Sequence, residues 1–338
     1  MKFNEPLFFE RNRVNRVYTG GKLFGDFFGD EPVDGFLPEE WIASNVKAIN
    51  KIQKSPKEGI SKIKGTELYL DEALSKYSDD LLGNNKYRIL VKALDSAIRL
   101  PAQAHPDKAF SRKYFNSDYG KTECWIILDT RPEAKIYFGF KDGVTKEMFE
   151  KAIDQSEYDK DAMERLMCEI TPKKGDVFLV PGKTVHAIGK GCLILEIQEP
   201  TYFTIQPERF CGDYKLNDNE MYLGLTKDVA VSCFNFGTTP KAEILPQIKE
   251  RTEDYVVESL ICNNNTDCFE INRIILNNSR YTLSNQGSYA VYIVTDGTAE
   301  ICGVDFRKDL RKGNYFFMPA SLMNKFSVQG NATIIECF

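Results

Sequence analysis

The sequence predicts a mainly β protein, built from two copies of one small β-barrel and interrupted by helical insertions. Three observations predict it. Short apolar runs punctuated by Gly, Pro and Asp recur along most of the 338 residues. The last hundred residues are almost purely strand-like. And one stretch repeats another: "RKGNYFFMPASLMNKFSVQGNATIIEC", from Arg311, set beneath "KKGDVFLVPGKTVHAIGKGCLILEI", from Lys173, places Gly313 under Gly175, Pro319 under Pro181 and Asn324 under His186 at one constant offset. Two extra residues then intervene before Glu336 matches Glu196. Upstream, "AVYIVTDG" from Ala290 aligns with "ECWIILDT" from Glu123, with Tyr292 under Trp125 and Asp296 under Asp129.

Taken in order, residues 1–68 read as short strands and turns: "PLFFE", "RVYTGGKLFG" and "EEWIASNVKAI". From Leu68 to about Arg99 the apolar residues fall at helical spacing, with Leu82, Tyr87, Leu90, Val91, Leu94 and Ile98 among them. Gly83-Asn84-Asn85 separates two helices. Strands return with "ECWIILD" and "AKIYFGF". A second helical patch starts at Thr145, a candidate N-cap, with Met148, Phe149, Ala152 and Ile153 on one face; Met163, Leu166 and Met167 continue it after a break. "KKGDVFLVPGKTVHAIGKGCLILEIQEP" then reads as a Gly turn, a strand, a Pro-Gly break, a short strand carrying His186, another turn and a strand ending at Glu196. The chain is longer than one core usually supports, so two domains are expected. They are drawn at 1–240, with helical insertions at about 68–99 and 145–168, and at 241–338.

Composition narrows the classes of function. With 42% hydrophobic and 28% charged residues the chain is of globular type, and a net charge of -5 with no basic, aromatic-interleaved cluster argues against a nucleic-acid partner. Nine scattered cysteines without a C-x-x-C pair suit reduced thiols better than a disulfide framework or a thiolate zinc site. The N-terminus has no apolar signal stretch, and no run approaches the roughly 20 apolar residues that span a bilayer. The expected address is the cytoplasm, with no membrane partner.

The pattern G-D-V-F-x-x-P-x-x-x-x-H resembles the half-motif of cupin (jelly-roll, or double-stranded β-helix) barrels, whose mouth carries a metal. The first copy offers that mouth Glu123 and His186, the second Ala290 and Asn324. A binding barrel and a degenerate, structural one are expected. In Gln103-Ala104-His105 the i and i+2 side chains of a strand share one face, so an amide oxygen and an imidazole can converge. Two imidazoles, a carboxylate and an amide oxygen suit Zn²⁺ or another borderline divalent ion. The competing reading makes each histidine an ordinary hydrogen-bonded core residue.

"QAHPD" (103–107), "GKTECWIIL" (120–128) and "GDVFLVPGKTVHAIGKGCLILEIQ" (175–198), with "VYTGGKLFGDFFG" and "EEWIAS" more weakly, resemble class I mannose-6-phosphate isomerases. The resemblance runs in order over residues 1 to about 210. It implies one metal per chain, usually zinc, on Gln103, His105, Glu123 and His186, and a sugar-phosphate substrate isomerised through an enediol. It associates Lys121, the lysine of K-T-E, with the substrate, and keeps Trp41 and Ser44 of the family's E-x-W segment, whose Ala-His-Pro is replaced by "SNVKA". Lys183, after the Pro-Gly break, is placed either to reach the same mouth or to stay on an exposed loop. Glu196 stands in the L-E-I-Q motif or holds a ligand's second ring nitrogen. Downstream, "EIQEPTYFTIQPERF" departs from the pattern: Tyr202 replaces an Asp and Gln206 an Arg, leaving Arg209 as a substitute only if the loop shifts. Gln cannot bring the charge and fork of Arg, which leaves open another sugar or phosphosugar as substrate, or a sugar-binding cupin without turnover. A monomer or homodimer is expected.

Overall fold

A computed structural model describes residues 3–50, 53, 55–237, 243–285 and 287–338. The expected domain boundary between residues 240 and 241 lies outside the described residues. Every strand pairing among the described residues is antiparallel, and the sheets carry the core. A six-stranded sheet runs in the order Arg13–Val14, Glu39–Ile42, Leu90–Asp95, Cys192–Gln198, Glu123–Thr130, Val177–Val180. A three-stranded sheet of Met167–Ile170, Ile136–Phe140 and His186–Ile188 accompanies it. A seven-stranded sheet holds the C-terminal strands, among them Tyr255–Ile261, Ile271–Thr282, Ser327–Cys337, Ala290–Cys302 and Tyr315–Met318. The fold is mainly β with antiparallel sheets, consistent with a cupin. No helix among the described residues is long and apolar enough to cross a membrane, and all nine cysteines are free thiols.

The internal repeat reappears as pairing register. Across the first sheet the row of directly opposed residues is Trp41, Lys92, Glu196, Trp125, Phe178. Across the second it is Ser259, Asn272, Glu336, Tyr292, Phe316. Even the irregularity is copied: the register shifts between Ile127 and Asp129 in one sheet and between Val294 and Asp296 in the other. Opposed residues share a face of their sheet, so each row is one band of side chains across the strands. In the second row buried Glu336 accepts from Tyr292 Oη at 2.6 Å and Asn272 Nδ2 at 2.7 Å. Burial pushes its carboxyl above the usual range despite those donors.

Three expectations need correction. The helical insertion drawn over 68–99 holds only the short helices Leu70–Lys76 and Ser78–Leu82; Leu90–Asp95 is a central strand, buried at every residue. A strand covered on both faces loses its period of two, so its apolar run mimics a helix face. In the second insertion Thr145 does cap the helix Lys146–Gln155, accepting from the Met148 N–H, and Phe149, Ala152 and Ile153 are buried, but Met148 is 46% exposed. A single 3-10 turn, Glu164–Leu166, follows before the chain turns to strand at Met167. Asn324, aligned with His186, lies on no strand: it is exposed at φ +64° after the turn Ala320–Leu322.

Candidate metal centre and active site

Backbone pairing brings the motif residues together. Gln103 and His186 form an antiparallel bridge, each N–H donating to the other's carbonyl at 2.9 Å. Opposed residues share a face, as do residues two apart in an extended segment, so Gln103, His105 and His186 point to one side. Close approach of three segments completes the arrangement. A Cβ at Gly120 would lie 2.6 Å from the Pro106 carbonyl oxygen, and one at Gly182 would lie 3.0 Å from the Asp107 backbone. Only glycine lets both loops touch the Pro106–Asp107 peptide. The Lys121 N–H then donates to the Pro106 carbonyl at 3.0 Å and the Lys183 N–H to the His105 carbonyl at 2.6 Å.

At the point of convergence His105 Nε2 lies 3.2 Å from His186 Nε2 and 3.0 Å from Glu123 Oε2, while Glu123 Oε1 lies 3.3 Å from His186 Nε2. All three residues are buried, and one ligand atom from each falls within 4.8 Å of the others. The rings are oriented from behind. His105 Nδ1 lies 2.9 Å from the Phe203 carbonyl and His186 Nδ1 2.9 Å from the Thr184 carbonyl. A carbonyl only accepts, so each Nδ1 carries the proton and each Nε2 presents a lone pair. Trp125 Nε1 donates to Glu123 Oε1 at 2.9 Å and fixes the carboxylate. Burial, with the Lys121 ammonium, pushes His105 down to about 4, and burial lowers His186 as well. Against the opposing effect of burial, the Lys121 ammonium holds Glu123 well below the usual carboxylate range. The donor set is therefore two neutral imidazoles and one carboxylate, which is what a divalent ion takes up.

Lys121 Nζ sits at the edge of this cluster, 2.6 Å from Glu123 Oε2 and 2.7 Å from His105 Nε2. The cluster opens onto a cavity of about 320 Å³ lined by Gln103, Lys121, Glu123, Trp41, Gln206 and Tyr202, among others. Its size falls within the small-ligand range of roughly 300–1,000 Å³.

Lys183, Arg209 and Ser44 do not line that cavity among the described residues. Lys183 stands at φ +71°, its carbonyl accepting from the Asn235 N–H. Arg209 is drawn away by Glu157 at 2.8 Å and Asp218 at 3.0 Å. Buried Ser44 closes a local turn with Val46. Glu196 holds no ring nitrogen, since backbone carbonyls take both; it accepts from Lys92 Nζ at 3.0 Å and lies 4.0 Å from Lys121.

The polar lining of the cavity also includes residues that the sequence motifs do not mark, Arg16, Tyr18, Glu39 and Lys92 among them. Glu39 accepts from Arg16 Nε at 2.8 Å and from Tyr18 Oη and Trp41 Nε1 at 2.6 Å each. Although burial opposes it, Arg16 and Lys92 hold Glu39 down to about 2. The available signal for Lys92 was its place inside the apolar run "RILVKALD", where a buried lysine needs a partner.

Comparison with known proteins agrees with this geometry. The family model described as mannose-6-phosphate isomerase, cupin domain, matches residues 263–338. The chain is 28% identical over 337 residues, 98% of each protein, to the mannose-6-phosphate isomerase ManA of Bacillus subtilis (strain 168). It is 31% identical over 199 residues, 58% of each protein, to the mannose-6-phosphate isomerase of Streptococcus mutans. Among solved structures, the mannose 6-phosphate isomerase from Bacillus subtilis superposes with a TM-score of 0.80 at 22% identity, covering 99% of this chain and 100% of that one. A mannose 6-phosphate isomerase bound with zinc and yttrium superposes at 0.74 with 15% identity, covering 98% and 99%. Residues 263–338 match the cupin domain of mannose-6-phosphate isomerases, and nearly the whole chain is similar to enzymes of that name.

Proposed function

We propose that this chain is a metal-dependent aldose-ketose isomerase that interconverts mannose 6-phosphate and fructose 6-phosphate, with Gln103, His105, Glu123 and His186 holding one Zn²⁺. One observation carries the reading: the Nε2 atoms of two oriented imidazoles and the Glu123 carboxylate meet beside the Lys121 ammonium in a ligand-sized cavity. The relatives named above are isomerases of this sugar phosphate, and one neighbour is bound with zinc. Aldose-ketose interconversion moves a proton between C1 and C2, so the site must polarise a carbonyl and carry a proton. A bound divalent ion supplies the Lewis acid. Lys121 donates to the substrate oxygen and carries the proton. Trp125 and the two backbone carbonyls keep the ligand side chains aimed without further reorganisation.

Gln206 supports a second reading of the substrate. It lines the cavity with its amide directed to the Glu220 carbonyl at 3.3 Å, and the nearby Arg209 is committed to two acids outside the cavity. A different sugar or an unphosphorylated aldose is accordingly the alternative substrate. The repeated cross-sheet row supports a division into a metal-binding unit, 1–240, and a structural unit, 241–338. A cytoplasmic monomer or homodimer completes the proposal.

A coupled assay of zinc-loaded protein with mannose 6-phosphate, mannose and other aldoses tests the reading. Turnover with mannose 6-phosphate, lost on chelation and in Lys121→Met with zinc still bound, is expected. No turnover with any aldose despite stoichiometric metal overturns it.

A further inference from the structure

Glu199, the residue after the strand Cys192–Gln198, is buried and takes no part in the chemistry described so far. Its two carboxylate oxygens accept the backbone N–H groups on either side of Lys121: Gly120 at 3.2 Å and Thr122 at 2.9 Å. Amides two apart in an extended segment face the same way, so a single anion can bridge them, and charge-assisted bonds of this kind are the stronger ones. The rest of the loop reinforces the grip. The Glu199 N–H donates to the Thr122 carbonyl at 3.1 Å, and Thr201 Oγ1 donates to the Gly120 carbonyl at 2.7 Å. Gln198 ties this loop inward: its Nε2 donates to the Thr201 carbonyl at 2.7 Å, and its Oε1 accepts from Lys92 Nζ at 2.6 Å.

We propose that Glu199 is a positioning residue for the isomerisation: by clamping the peptides of Gly120 and Thr122 it fixes the direction from which the Lys121 ammonium meets the substrate. The proposal rests on the isomerase reading given above. Glu199 touches neither the metal-ligand atoms nor Lys121 Nζ; it acts only through the backbone. Misplacing a catalytic group by about 1 Å costs on the order of a hundredfold in rate. The outer side of Glu199 faces a separate cavity of about 410 Å³, shared with Arg88, Lys108 and Asp267, so a substitution there meets space and not a dense core.

Glu199→Gln keeps the shape but turns an NH₂ toward one of the two amides. Its kcat on mannose 6-phosphate should fall about tenfold or more, with KM within about twofold of the parent and zinc content and Tm retained. Glu199→Asp, which keeps two acceptor oxygens, should recover part of the lost kcat. An unchanged kcat in Glu199→Gln, or a fall matched by lost zinc, overturns the proposal. Inactivity of the parent chain would instead sink the isomerase reading. Hydrogen exchange then decides the clamp: a Thr122 amide that is protected in the parent and released in Glu199→Gln supports it, and equal exchange in both overturns it.

Discussion

Trp125 and Glu123, two residues apart on one strand, are joined by a 2.9 Å bond from the indole N–H to the carboxylate, so the residue that anchors the middle of the cross-sheet band also aims a carboxylate of the candidate metal cluster. Trp125→Phe keeps most of the buried ring and removes the donor. Metal affinity should fall roughly tenfold to a hundredfold, read by competition with a chromophoric chelator. Affinity equal to the parent's would mean that the carboxylate is held by its other neighbours.

Gly120 has no room for a methyl group, because the Pro106 carbonyl lies 2.6 Å from where Cβ would be. Gly120→Ala must push the loop carrying Lys121 away from the loop carrying His105. A destabilisation of about 1–3 kcal/mol, the usual cost of overpacking, should accompany a lower kcat. Normal activity with normal Tm would show that the loops can separate freely.

Acid should weaken the metal-free protein over a defined window. Burial and Lys121 lower His105 to about 4 from 6.5, so between those values the unfolded chain binds the proton and the folded chain refuses it. Stability therefore falls as pH drops through this range, by about 3 kcal/mol in total. Glu123, also lowered, adds a loss of the same sign below the ordinary carboxylate range. Urea denaturation at pH 7, 5.5 and 4.5 measures it, and His105→Gln should flatten the upper part of the profile. A variant as acid-sensitive as the parent contradicts the assignment.

Removing Arg16 strands a buried charge. Glu39 is 4% exposed, and Arg16 is its salt-bridge partner at 2.8 Å. Arg16→Met should destabilise the fold by about 3 kcal/mol, and adding Glu39→Gln should restore much of it. A double variant no more stable than the single one would mean that the arginine's contact with the Trp41 ring, 5.2 Å away, matters more than its charge.

The convergence of His105, Glu123 and His186 was legible because these residues sit in short, rigid segments whose face follows from a period of two. Gln103 and His105 needed only that rule, and the repeat explained why Ala290 and Asn324 offer no matching site. Lys92 was hidden because a strand covered on both faces spaces its apolar residues as a helix does. Arg16, Tyr18 and Glu39 reach the cavity through pairings across the first 40 residues that no local pattern announces. Ser44 follows from the family resemblance, Arg209 only from a shifted loop and Lys183 from its place after the Pro-Gly break, whereas a local turn, two acidic partners and a positive φ mark their places outside the cavity lining.

The first strand-like residues pair in two directions, Phe9 with Ile63 and Leu7 with the far C-terminal part of the chain. Leu7 exchanges both backbone hydrogen bonds, each 2.9 Å, with Phe317, and the Tyr315 hydroxyl donates to Glu40. Phe9 bridges Ile63 early in the chain, but Leu7 has no bridge partner until the strand Tyr315–Met318 has been made. Closure of this very long loop is a late event in folding, and until it happens the Tyr315–Met318 strand keeps an edge open to any other extended chain nearby.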